Sequence, residues 1–120
     1  MKLILIVDDE QDYVNIMVQL LEPEGYKTLA AGTVKDALHL LEVVTPDMLI
    51  VDWNLPDRTG LELVKEVRAQ KKFRKTRVIM NTIRDSESDQ VAAYLEDADL
   101  YFTKPIKPEI FLGKIKKLLE

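Results

Sequence analysis

The sequence contains no cysteine, which excludes disulfide bonds, thiolate metal sites and cysteine nucleophiles. It has no long hydrophobic run either, since the apolar residues that follow Met1 and Lys2 are too few for a secretory signal or a membrane span. Internal repeats, low-complexity tracts and linker-like segments are also absent, so we expect a single domain over residues 1–120. A cytoplasmic location is the default expectation for such a chain.

The charge balance gives little support for nucleic acid as a direct partner. The net charge is −4, and apolar and charged residues make up 47% and 32% of the chain, as in ordinary globular domains. Lysines cluster between Lys104 and Lys117, but a solvated helix face whose charge complements the helix dipole explains them. We therefore expect no direct contact of this domain with nucleic acid, and none with a membrane.

The stretch from Asp47 to Gly60 carries the strongest functional pattern. Its apolar run, residues 48–51, has the length of a strand buried on both faces, as in a parallel sheet. The run ends on Asp52, and loop-forming residues follow. A carboxylate at the C-terminal end of such a strand lies where open α/β sheets bind their ligands. Asp52 is therefore the candidate centre of a site.

Strand-length and helix-period segments alternate along the whole chain. The strands are expected at residues 3–7, 27–31, 48–51, 77–81 and 100–103. The helix boundaries are expected near Gly25, Thr33, Thr59, Gly60, Glu87 and Pro108. We expect Val91, Tyr94 and Leu95 to anchor the fourth helix, and Ile110 to lie on the apolar side of the fifth. Five strands alternating with five helices predict an α/β fold with a doubly wound parallel sheet.

Polar residues at four strand ends should meet in one crevice, because right-handed crossovers place the C-terminal ends of all strands at one edge. These residues are Asp8, Asp9, Asp52, Thr82 and Lys104. Clustered carboxylates repel one another unless a cation joins them, and all-oxygen ligands suit Mg²⁺. A carboxylate beside such a metal can become an aspartyl phosphate, with an ammonium and a hydroxyl on the phosphoryl oxygens.

Each of these residues also has an ordinary structural explanation. Asp8 and Asp9 would cap the first helix, Asp52 would close an Asx turn, and Thr82 would end a strand. A lysine before proline carries no information alone. The joint arrangement at four separate strand ends favours the site.

The chain resembles the receiver domains of two-component response regulators over essentially its whole length. The motifs that carry the resemblance are Ile6-Val7-Asp8-Asp9-Glu10, Pro46-Asp47, Val51-Asp52-Trp53-Asn54-Leu55-Pro56, Gly60, Val78 to Thr82, and Tyr101-Phe102-Thr103-Lys104-Pro105. The resemblance implies a flavodoxin-like receiver fold with strand order 2-1-3-4-5. It also implies a phosphorylation-dependent signalling switch rather than an enzyme, with self-catalysed phosphorylation and dephosphorylation only.

The resemblance assigns roles at the acidic crevice. It makes Asp52 the phosphoacceptor and Lys104 the residue that pairs with the phosphoryl group. Mg²⁺ would be held in a pocket formed by Asp8, Asp9, Asp52 and the backbone carbonyl of Asn54. The phosphoryl donor would be a histidine kinase or a histidine phosphotransfer protein.

The resemblance also implies a switch. Thr82 would move towards the phosphoryl group and Tyr101 would follow it, which alters the face formed by the fourth helix, fifth strand and fifth helix. That face would control a downstream protein or output domain. In physical terms, the phosphoryl group shifts the population of a bistable element.

Four positions depart from or vary within the family pattern. Ile83 follows the switch threonine where the family has a small residue, so we expect it to restrict access to the site. Arg84 would tune hydrolysis together with Asn54. Asp97 replaces a helix-ending glycine and tolerates the left-handed conformation better than most residues. Leu100 replaces an acidic residue typical of winged-helix transcription regulators, which weakens assignment to that subfamily.

Two other functions remain open at this point. A phosphatase resembling haloacid dehalogenases would also use an aspartyl phosphate, but it needs an acid two residues after Asp52, where this chain has Asn54. The other is a pseudo-receiver that binds partners without phosphorylation. The intact crevice residues argue against it, whereas Ile83 argues for it.

Overall fold

The computed structural model describes residues 1–120 and contains a five-stranded parallel sheet. The elements in chain order are β1 Leu3–Val7, α1 Gln11–Leu21, β2 Lys27–Ala31, α2 Val34–Val43, β3 Met48–Val51, α3 Gly60–Arg68, β4 Arg77–Thr82, α4 Glu87–Leu95, β5 Leu100–Thr103 and α5 Pro108–Leu119. Short 3-10 turns, Glu22–Glu24 and Lys71–Phe73, follow α1 and α3. The strand order is β2-β1-β3-β4-β5 with every pair parallel, which confirms the predicted fold.

Helices cover both faces of the sheet and form two hydrophobic cores. Successive strand side chains point to opposite faces, so Leu5 and Val7 join the core under α2, α3 and α4, whereas Ile4 and Ile6 join the core under α1 and α5. All residues of β3 are at most 2% exposed. The central strand is therefore buried on both faces, as its continuous apolar run predicts.

Side-chain caps begin α2 and α3 where the sequence indicates. The Thr33 hydroxyl accepts a hydrogen bond from the Asp36 N–H at the start of α2. At the start of α3, Thr59 and Glu62 form a reciprocal capping box, with distances of 3.2 and 2.9 Å. Asp97 follows α4 with a φ of 66°, which confirms the expectation that it adopts the left-handed conformation there.

The predicted anchors of α4 are wrong. Val91, Tyr94 and Leu95 are 55%, 46% and 76% exposed, whereas Ala93 is fully buried against the sheet. Ile110 of α5, also expected on the apolar side, is 54% exposed. In α4 the small residue, not the large ones, faces the core, because a methyl group lets the helix approach the strands closely. The bulky apolar side chains of α4 therefore remain at the surface.

Arg68 at the end of α3 connects three other segments of the chain. Its guanidinium donates to the backbone carbonyls of Phe73, Thr76 and Asp97 at 3.1, 2.7 and 3.0 Å. It also forms an ion pair with Asp99 at 3.0 Å, and its side chain is only 15% exposed. A structural role therefore accounts for Arg68. No helix of the chain is both long enough and apolar enough to cross a membrane.

Candidate functional site

Backbone hydrogen bonds carry the strand pairing one residue past the strand ends and thereby position the crevice. The Asp52 N–H donates to the Val7 carbonyl at 2.9 Å, and the Lys104 N–H donates to the Thr82 carbonyl at 2.8 Å. Asp8 likewise follows β1, with its N–H bonded to the β2 end. The sheet itself therefore brings together the residues that the sequence analysis placed at one edge.

Lys104 forms the electrostatic centre of the crevice. Its Nζ lies 2.8 Å from Asp8 Oδ2, 3.0 Å from Asp52 Oδ2 and 3.5 Å from Glu10 Oε1. The side chains of Lys104, Asp8 and Asp52 are 8%, 4% and 7% exposed. Burial alone would lower the pKa of Lys104, but the bonds to the two aspartates outweigh it and raise the pKa. The ammonium is therefore firmly protonated.

Burial raises the pKa of Asp8, although the hydrogen bonds from Lys104 and from the Glu10 N–H oppose the effect. The Glu10 N–H lies 2.9 Å from Asp8 Oδ1. Both oxygens of Asp8 are thus engaged within the protein. This carboxylate is therefore held in place. Its ionisation costs free energy because it is buried, and an added cation would offset that cost.

The carboxylates that come together here differ from the predicted set by one residue. Oxygens of Asp8, Glu10 and Asp52 lie within 4.8 Å of one another, so these three could hold a metal ion. The side chain of Asp9 is exposed and does not belong to this group. The donors are all oxygens, which fits a hard cation such as Mg²⁺. The sequence predicts no separate role for Glu10, which occurs there only within the motif Ile6-Val7-Asp8-Asp9-Glu10.

The loop after β3 fixes the remaining oxygen of Asp52. The Asn54 N–H donates to Asp52 Oδ1 at 3.2 Å, so the aspartate also forms the Asx turn that its sequence context allowed. Gly60 closes the loop, because its N–H donates to the Trp53 carbonyl at 2.8 Å. A Cβ at position 60 would lie 2.0 Å from the Asp52 carbonyl oxygen, so glycine is required by this close approach.

Asp57 ties the same loop to α2. Its carboxylate accepts hydrogen bonds from the N–H groups of Val34 and Lys35 at 3.0 and 2.9 Å. Desolvation is the largest single effect and raises the pKa of Asp57, but the backbone N–H donors, led by those of Lys35 and Val34, together outweigh it and lower the pKa below its ordinary value. The sequence analysis missed this tether, because it joins residues far apart in the chain.

Thr82 and Tyr101 are linked through the backbone of Arg84. Thr82 is fully buried, and its hydroxyl accepts a long 3.4 Å contact from the Arg84 N–H. The Tyr101 hydroxyl donates to the Arg84 carbonyl at 2.7 Å, and its ring packs against the core under α4. Burial, followed by the charge of Asp89, raises the pKa of Tyr101 to about 12. The tyrosine is therefore neutral and available as a hydrogen-bond donor.

The Arg84 side chain lies across the mouth of the site. Its Nε donates to Asn54 Oδ1 at 3.1 Å, and its guanidinium carbon lies 5.0 Å from the centre of the Trp53 ring. An ion pair with Asp89 at 3.3 Å holds its other end. Ile83 is 69% exposed, so its side chain lies at the surface rather than inside the crevice.

Two further residues at the site escaped the sequence analysis. The Tyr13 ring centre lies 4.1 Å from Lys104 Nζ, and the Tyr13 hydroxyl is hydrogen bonded to the side-chain amide of Asn81 at 2.5 Å. The one available sequence indication was Asn81 itself, an amide that follows three apolar residues of β4 directly before Thr82.

Comparison with known proteins agrees with this architecture. The family description "Response regulator receiver domain" matches residues 4–116. The chain is 36% identical over 118 residues to the alkaline phosphatase synthesis transcriptional regulatory protein PhoP of Bacillus subtilis. The matched region covers 98% of this chain and 48% of that protein. The chain thus spans about half the length of that relative.

Solved structures show the same fold. A CheY-like response regulator receiver domain protein from Methanospirillum hungatei superimposes with a TM-score of 0.91 at 35% identity, covering 99% of this chain and 94% of that one. The chemotaxis response regulator CheY4 of Vibrio cholerae gives a TM-score of 0.92 at 29% identity, covering 99% of both chains. Sequence and fold lead to the same conclusion: this chain belongs to the response regulator receiver domain family.

Proposed function

We propose that the chain is a phosphorylation-dependent signalling switch whose phosphoacceptor is Asp52. The observation that carries the proposal is the buried Asp52 carboxylate, held by the Lys104 ammonium at 3.0 Å beside a carboxylate group able to hold a metal. The donor would be a histidine kinase or a histidine phosphotransfer protein. We propose a single receiver domain over residues 1–120, acting in the cytoplasm without direct contact to nucleic acid or membrane.

In the proposed reaction, one Asp52 oxygen attacks the phosphorus of a phosphohistidine. The new oxygen–phosphorus bond forms as the nitrogen–phosphorus bond breaks, and its electron pair leaves with the imidazole. Lys104 would turn from the carboxylate to a phosphoryl oxygen, and Thr82 would donate its hydroxyl to another. When bound, Mg²⁺ supplies positive charge that offsets the charge on the transferred group. The leaving group is an imidazole and not an alkoxide, so no general acid is needed two residues after Asp52. Asn54 at this position is therefore compatible with the proposed reaction.

We propose that Mg²⁺ is held by Asp9, Asp52 and the Asn54 backbone carbonyl, with Asp8 completing the acidic pocket. Glu10 competes with Asp9 for this role, because its carboxylate belongs to the cluster and that of Asp9 does not. Matched variants separate the two: Asp9→Asn should weaken Mg²⁺ binding strongly and Glu10→Gln only slightly. The reverse order would transfer the ligand role to Glu10.

For the switch, we propose that Thr82 moves towards the phosphoryl group and carries the Arg84 backbone with it. The 2.7 Å bond from Tyr101 to the Arg84 carbonyl supports this coupling, since the aromatic ring must respond when that carbonyl moves. The face built from α4, β5 and α5 would then control a downstream protein or output domain. Exposed Val91 and Leu95 supply apolar contact area on α4.

We also propose that Ile83 and Arg84 modulate access. Ile83 is too exposed to fill the crevice, so its effect would be to shield the opening, and the Arg84 bond to Asn54 would have a similar effect. Measured autophosphorylation and dephosphorylation rates should rise in Ile83→Ala. Unchanged rates in that variant would remove Ile83 from this role.

Trp53 provides the main test, because it is the only tryptophan, is 7% exposed and contacts Arg84. Its fluorescence should change on titration with Mg²⁺ and again with acetyl phosphate or beryllofluoride. Asp52→Asn should not respond to either phosphoryl reagent. Absence of any response in wild type would favour a pseudo-receiver, and steady phosphate release from many esters would favour a phosphatase.

A further inference from the structure

We propose that Tyr13 is a positioning residue for Lys104: its ring supports the ammonium, and its hydroxyl is fixed by Asn81. The inference rests on the proposed function, because the position of Lys104 matters most when a phosphoryl group is present on Asp52. Tyr13 lies outside the motifs that carry the family resemblance in this chain.

The first observation is the environment of the ammonium. Two sides of Lys104 Nζ face Asp8 and Asp52, and the Tyr13 ring centre lies 4.1 Å away. This distance is well within the range of a cation–π interaction. The lysine side chain is flexible and carries a compact charge, so it needs contacts on several sides to hold one position. The ring supplies the contact that the carboxylates do not.

The second observation is the burial of Asn81 in β4. Asn81 is 1% exposed, and its Oδ1 has no hydrogen-bond partner in the protein. An aliphatic residue there would avoid the cost of burying an unpaired oxygen, so stability alone does not account for an amide. The bond that the amide does make is with the Tyr13 hydroxyl, at 2.5 Å. Asn81 therefore fixes the far end of the ring.

Together these contacts connect α1, β4 and the residue after β5. The backbone of Tyr13 belongs to α1, and its hydroxyl is hydrogen bonded to Asn81 of β4. The ring is therefore a rigid support rather than a mobile surface group. A rigid support lowers the cost of ordering Lys104 when its ammonium turns to a phosphoryl oxygen. The Tyr13 hydroxyl bonds an amide rather than a carboxylate, so metal binding should depend on it little.

The experiment measures beryllofluoride affinity at saturating Mg²⁺ through Trp53 fluorescence. Tyr13→Leu removes the ring and should weaken beryllofluoride binding about fivefold. Tyr13→Phe keeps the ring, and its beryllofluoride affinity should stay within about twofold of wild type. The Mg²⁺ affinity of both variants should also stay within about twofold of wild type. Tyr26→Leu is the matched control, because Tyr26 is also half-buried against the α1 and α5 core but has no contact with Lys104.

A nuclear magnetic resonance measurement keeps the test decisive if Tyr13→Leu does not fold. The ring current of Tyr13 should shift the Lys104 methylene protons next to Nζ upfield in wild type and in Tyr13→Phe. An ordinary shift in wild type would overturn the inference. So would wild-type affinity in Tyr13→Leu, or equal losses in Tyr13→Leu and Tyr13→Phe. Failure of wild type itself to bind beryllofluoride with Mg²⁺ would instead overturn the proposed function.

Discussion

Replacement of Lys104 by methionine tests how the acidic crevice is balanced. At 2.8 and 3.0 Å from Asp8 and Asp52, each attraction amounts to roughly 5–6 kcal/mol at an effective dielectric constant of about 20. Desolvation of the three buried groups offsets most of this gain. Removing one partner of a buried ion pair costs about 3–5 kcal/mol, because the remaining charges stay uncompensated. We expect Lys104→Met to lower the free energy of unfolding by about 3 kcal/mol without metal.

The assay is urea unfolding in EDTA at neutral pH, followed by the fluorescence of buried Trp53. A loss of this size should lower the midpoint by about 1–3 M urea. Lys114→Met is the control, because Lys114 is an exposed lysine of α5, and its replacement should change stability by less than about 0.5 kcal/mol.

Two additions identify the cause of the loss. Asp8→Asn introduced into Lys104→Met should recover at least about 1 kcal/mol, because it removes one of the uncompensated charges. Mg²⁺ should also recover stability, since it replaces the missing cation. If Lys104→Met is as stable as wild type in EDTA, or if Asp8→Asn has no different effect in the two backgrounds, the electrostatic reasoning is refuted.

Three further predictions concern the residues that support the site. Gly60→Ala should lower the unfolding free energy by about 3 kcal/mol, since its Cβ would lie 2.0 Å from the Asp52 carbonyl; unchanged urea unfolding would contradict this. Asp57→Ala should cost about 0.5–1 kcal/mol at neutral pH. Because the folded-state pKa of Asp57 is lowered, this difference is present above its unfolded pKa of about 3.9 and disappears as pH falls through the folded-state pKa, which thermal unfolding against pH would detect. Arg68→Ala should cost about 3 kcal/mol through its carbonyl bonds and its ion pair with Asp99, whereas Lys65→Ala on the same helix should have little effect in the same assay.

The fold could be predicted because its determinants are local. Each central strand is a short apolar run followed by a polar residue, and α2 and α3 begin at the recognisable caps Thr33 and Thr59. Handedness rules then fix which edge of the sheet receives Asp52 and Lys104. Their meeting at 3.0 Å follows from the alternation of elements and not from any contact visible in the sequence.

The errors arise where tertiary contacts decide. The sequence pattern predicts that the largest apolar residues of α4 face inward, but close approach to the sheet selects Ala93 and leaves Leu95 outside. The tether from Asp57 and the support of Lys104 by Tyr13 join residues on different elements, so no local pattern contains them. Glu10 joins the acidic cluster because of how the chain turns after β1, which residue type alone does not reveal.

Two of the contacts of Arg84 are made through chemically independent groups. Its side chain binds Asn54 at the mouth of the site, whereas its backbone carbonyl accepts the bond from Tyr101. Substitution at this position changes the first contact and leaves every amino acid able to provide the second. Under the proposed function, the first contact would influence the lifetime of the phosphorylated state and the second its transmission to a partner, so a substitution at this one residue would alter the timing of the switch and leave its output contact intact.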